Sequence, residues 1–61
     1  MAGTIFVDYR GREAVAAMVI GGMSVVERVL RHAARTGASH AVVRAGRLPP
    51  LPALALVVEV V

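Results

Sequence analysis

An α/β fold is what this chain predicts, and three observations predict it. Two short apolar runs, Thr4-Ile5-Phe6-Val7 and Ala41-Val42-Val43, flank the best-formed helical pattern in the sequence. A third run, residues 53–61, is almost continuously apolar, as strands covered on both faces of a parallel sheet are. Strand, helix and strand in that order favour a parallel pair joined by a right-handed crossover.

The first run is partly β-branched and suits a buried strand. Asp8, Tyr9, Arg10, Gly11 and Arg12 break it with polar residues and a glycine. Residues 13–20 read two ways, because their alanines favour helix while Val19 and Ile20 favour an extended exit. Gly21-Gly22 is a chain break. Ser24 and Glu27 then form an S-x-x-E capping box, in which each side chain satisfies the other residue's free backbone N–H.

The helix is predicted from Val25 to about Thr36. Val25, Val26, Val29, Leu30, Ala33 and Ala34 make one apolar stripe, with Glu27, Arg28, Arg31, His32 and Arg35 on the other side. Glu27 and Arg31 stand four apart with the acid first, the favoured order. The arginines lie toward the C-terminus, where the helix dipole favours positive charge. Gly37 is placed to end the helix in the left-handed conformation. Residues 44–52 read as a loop, since Gly46, Pro49, Pro50 and Pro52 exclude helix and central strand. The expected architecture is a small Rossmann-like β-α-β unit with an additional C-terminal strand. One helix cannot cover both faces of three apolar strands, so the sheet is expected to belong to a larger or self-associated one.

Composition narrows the classes. The 61 residues make a single small α/β domain, residues 1–61, or a piece of a larger one. A chain this short buries only about 60% of its unfolded surface, so marginal stability is expected. With no cysteine there is neither a disulfide nor a thiolate metal site. His32 and His40 are too few and too badly spaced for structural zinc. Apolar residues reach 57%, which points to a partner surface or a missing remainder.

The net charge of +3 comes from seven arginines without any lysine. Phe6 and Tyr9 are the only aromatic residues, too few for base stacking, so no nucleic-acid partner is expected. No signal peptide is recognisable. The uncharged runs at 14–26 and 48–58 fall short of the roughly 20 residues that cross a bilayer. The chain is therefore expected to have no membrane span and to be soluble and cytoplasmic.

The candidate chemistry lies in the 8–12 loop, because ligands in open α/β sheets bind beyond the carboxyl ends of strands. Arg10 and Arg12 are candidates to pair with phosphate oxygens around Gly11, and Asp8 to hold a divalent metal through a water. The alternative is a solvated turn marked by charges. Gly21-Gly22 lacks the spacing of a phosphate-binding loop and reads as a structural turn. No cysteine nucleophile exists, Ser24 is assigned to capping, and no acid–base pair organises either histidine. Met18 and Met23 read as core fillers.

Residues 19–43, with Gly22, Glu27, Arg28, Leu30, Gly37 and Val42-Val43 in place, resemble the N-terminal region of the nucleotidyltransferase superfamily, whose members include sugar-phosphate, molybdopterin-guanine and inositol-phosphate cytidylyl enzymes. In that family a first strand carries an A-A-G-x-G-x-R loop that wraps the nucleotide, and a later segment supplies the first crossover helix and second strand. Aligned on the strand, Val7-Asp8-Tyr9-Arg10-Gly11 stands where A-A-G-x-G belongs. Gly11 is kept, Tyr9 replaces a glycine that lets backbone approach phosphate, and the family's lysine is absent. The resemblance implies an N-terminal fragment of a nucleotidyltransferase-like domain, with Arg10, Gly11 and Arg12 as its nucleotide loop and Asp8 as its metal candidate. A longer parent would transfer a nucleotidyl group from a nucleoside triphosphate to a phosphorylated sugar or polyol with Mg²⁺; the chain alone is not expected to catalyse transfer. The alternative is a non-enzymatic, homo-oligomeric interaction module.

Overall fold

The structure is a computed structural model that describes residues 3–61. Strand β1 (Gly3–Asp8) leads into a short helix α1 (Glu13–Ala17). A hairpin of β2 (Val19–Ile20) and β3 (Met23–Ser24) follows, then helix α2 (Val25–Arg35), β4 (Ala38–Arg44) and β5 (Val57–Val60). Strands β1, β4 and β5 form one parallel sheet in the order β1-β4-β5, so the α/β expectation holds. Both readings of residues 13–20 are realised in turn, helix first and strand after.

The hairpin turns on Gly21 and Gly22, with φ of +63° and +81°. Two consecutive positive φ values are what the tightest hairpin turns require, and glycine adopts them without a Cβ clash. The hairpin delivers Ser24 to the start of α2, where its Oγ accepts from the Glu27 N–H at 3.2 Å. The capping box is half-formed. The Glu27 carboxylate accepts from Arg31 Nε at 2.8 Å instead of returning to Ser24, because an i,i+4 guanidinium is the stronger donor. At the far end the Thr36 N–H donates to the carbonyls of His32 and Ala33, and Gly37 follows with φ +109°.

Val26 and Leu30 of α2, with Ala34 partly buried beside them, pack onto one face of the sheet. That face presents Ile5 and Val7 of β1, Ala41 and Val43 of β4, and Val58 of β5. Val26, Leu30, Ala41 and Val43 are fully enclosed. Each fully buried valine or leucine side chain contributes about 1.5–3 kcal/mol, so this single seam carries most of the stability. Ala16 of α1 and Tyr9 close the seam at one end.

Three expectations are corrected. Residues 53–61 do not form one strand: β5 begins at Val57, and 45–56 is an irregular strap. A parallel strand must be reached by a crossover of about a dozen residues, which the 44–52 loop alone is too short to supply. Leu48, Leu51, Leu54 and Leu56 of the strap face the core, which accounts for their apolarity. Second, β1 and β5 are not buried on both faces. Phe6 is 77% exposed and Val57 62%, because α1, α2 and the strap all pack on the same side. Third, Met18 is no core filler: it is 52% exposed beside the hairpin, and Met23 is half-buried.

No helix among the described residues is long and apolar enough to cross a membrane.

Candidate functional site: the loop after the first strand

The 8–12 loop leaves the carboxyl end of β1 beside the carboxyl end of β4, where Asp8 and Arg44 are register partners. The alternation of the strand continues through it. Asp8 and Arg10 face solvent, while Tyr9 turns inward and is only 8% exposed in the core. The Tyr9 N–H donates to the Arg44 carbonyl at 2.8 Å, and its own carbonyl accepts from the Arg12 N–H at 2.7 Å. These two bonds pin a tight turn over Gly11, whose φ of +76° is left-handed. A Cβ on Gly11 would meet no neighbour within 4 Å, so the glycine serves the turn and the space above it is open.

Asp8 and Arg10 are paired with each other. Asp8 Oδ1 accepts from the Arg10 N–H at 2.9 Å and from Nε at 3.1 Å; Oδ2 accepts from Nη2 at 2.9 Å. The side-chain bonds from Arg10, followed by its backbone N–H, hold the Asp8 carboxyl down to about 2. The same pairing raises the Arg10 guanidinium above its ordinary value. Both side chains are about half exposed, so the pair is of the surface kind, which is easily exchanged for another anion or cation.

Arg12 stands at the N-cap of α1 with no side-chain capping bond, exposed to solvent. Glu13, in the first turn, accepts from the Gly46 N–H at 2.9 Å. That bond ties α1 to the strap and is the main reason the Glu13 carboxyl lies below its usual range. It also brings Arg47 near the loop, where with Glu13, Ala14 and Leu48 it lines a cleft of about 310 Å³. The carboxyl edge of the sheet thus gathers Arg10, Arg12, Arg44 and Arg47. Arg44 was missed as a member of this edge, although the parallel order puts the ends of β1 and β4 side by side.

Gly21-Gly22 makes the hairpin that leads into α2, with Arg28 Nη2 folded back to donate to the Ile20 carbonyl. His40 lies at the opposite, amino end of β4, its Nε2 3.4 Å from Glu59 Oε1. His32 is exposed on α2. Among the described residues no group of three or more His, Asp or Glu side chains converges as a metal cage. Asp8 is the one carboxylate on the 8–12 loop, and magnesium commonly binds through one or two carboxylates together with substrate phosphates.

Comparison with protein-family models, with curated proteins and with solved structures gave no match.

Proposed function

We propose that this chain is a nucleotidyltransferase-like α/β segment whose 8–12 loop receives the phosphates of a nucleoside triphosphate. The observation that carries the reading is the placement of that loop: parallel strands end beneath it, Gly11 leaves the approach open, and arginines surround it. Arg12 offers an exposed guanidinium fork, without a hydrogen-bond partner among the described residues, that matches phosphate oxygens. Arg10 reaches the same ligand by exchanging its carboxylate partner for phosphate, which frees Asp8 as the residue that would hold Mg²⁺. A bound magnesium ion would neutralise phosphate charge. The chain contributes binding rather than transfer, since the loop carries neither a second carboxylate nor a lysine.

Calorimetric titration with CTP, GTP and ATP in the presence of Mg²⁺ tests the reading. Binding of one of them is expected, weakened about tenfold or more by Arg12→Ala through loss of a charge-assisted hydrogen bond. Absence of binding to all three overturns it.

A second reading is supported by a separate observation, the uncovered sheet face. A non-enzymatic, homo-oligomeric interaction module would use that face, which meets the 8–12 loop at Asp8 and Arg44.

A further inference from the structure

The face of the sheet turned away from α2 is a nine-position grid fixed by the register. Thr4, His40 and Val57 form one row; Phe6, Val42 and Glu59 form the next. Asp8 and Arg44 form the third, which Val61 completes, its N–H donating to the Val43 carbonyl. Val42 is the centre of the grid. Phe6, Val57 and Val61 are 77%, 62% and 57% exposed, so most of the apolar area on this face meets water. Purely parallel sheets are covered on both faces, which leaves this one lacking a layer.

We propose that a second copy of this chain supplies that layer, packed sheet on sheet with the strands of the two copies crossing at about 90°. This rests on the self-association reading and gives it a geometry. The charges of the face select a second copy as its occupant. Its charges balance, Asp8 and Glu59 against Arg10 and Arg44, whereas Arg28, Arg31 and Arg35 of the +3 chain lie on α2. A strongly acidic partner would therefore seat on the helix and not on the sheet. Three strands about 4.8 Å apart and three side-chain rows about 6.8 Å apart make a patch of roughly 300 Å². That is below the roughly 800 Å² per partner of a standard interface, so the dimer is expected to be a weak one.

Charge placement selects the crossing. A two-fold axis along the strands sets Arg44 over Arg44 of the second copy. An axis across the strands sets Arg44 over His40 and Glu59 over Glu59. A diagonal axis through Val42 from the Thr4 corner to the Val61 corner behaves differently. It exchanges the position one step along β4 with the position one strand over, so Arg44 of each copy meets Glu59 of the other. Phe6 then lies against His40 on both sides of a Val42–Val42 contact. The other diagonal instead stacks Asp8 on Asp8. Only the first diagonal sets both Arg44 and Glu59 against an opposite charge; Asp8, held by Arg10 of its own chain, then lies at the rim over Val57.

Sedimentation equilibrium from micromolar to millimolar concentration tests this, with far-UV circular dichroism on every variant. The wild-type chain is expected at twice its 6.4 kDa mass. Arg44→Glu and Glu59→Arg should each weaken the dimer about tenfold or more, because like charges then face each other twice. The double variant should return to wild-type affinity. Phe6→Asp, at an exposed position, should give a folded monomer. A wild-type monomer at millimolar concentration overturns both the geometry and the self-association reading. A dimer broken by Phe6→Asp but indifferent to the charge swaps overturns the crossing alone, and one indifferent to all variants uses another surface and overturns the proposal.

Discussion

Leu30→Ala and Phe6→Ala remove large apolar side chains from opposite faces of the sheet, and the two-layer fold assigns them opposite consequences. Leu30 is fully buried between α2 and the covered face. Truncation of such a leucine costs about 2–5 kcal/mol, depending on how far the cavity collapses. A domain of this length holds about 3–9 kcal/mol in all, so Leu30→Ala removes much or all of the stability. Phe6 keeps 77% of its surface in water, so folding recovers little from it and Phe6→Ala should cost less than about 1 kcal/mol. Urea unfolding followed by circular dichroism, at a concentration where the chain is monomeric, reads both values. A monomer in which Phe6→Ala costs as much as Leu30→Ala would refute the assignment of faces, because Phe6 would then sit in a core.

Further expectations are more local. Ser24→Ala should cost about 1 kcal/mol in the same unfolding assay, through loss of the bond to the Glu27 N–H. Gly37→Val should destabilise measurably, since a β-branched residue resists the φ of +109° that ends α2. The Asp8 carboxyl should titrate near 2 by carbon NMR and return toward its ordinary value of 3.8 in Arg10→Ala. Because this carboxyl is lowered on folding, its contribution to stability is present above 3.8 and fades as pH falls toward 2. Glu13→Gln should loosen the strap, seen as faster amide hydrogen exchange at Gly46, the donor to its carboxylate.

Helix α2 was legible in the sequence because propensity, stripe, cap and stop agree over residues 24–37. The 8–12 loop was legible as a break and as the place where a ligand would meet the sheet. Its internal geometry was not. Nothing local shows that Tyr9 turns inward, since its N–H is held by the Arg44 carbonyl arriving from β4. The strap was misread for a similar reason. Leucines packed against a core from an irregular segment produce the same apolar run as a strand, and only the length needed for a parallel crossover separates the two. Composition did signal an uncovered surface, but not that it would be the face carrying Phe6, Val42 and Glu59.

Amide NMR of the chain titrated with a nucleoside triphosphate and Mg²⁺ is the most direct test of the proposed role of the 8–12 loop. Saturable shifts concentrated at Asp8, Tyr9, Arg10, Gly11 and Arg12, with His40 at the far end of the sheet unmoved, are the predicted result. Shifts centred elsewhere, or none at millimolar nucleotide, would contradict it.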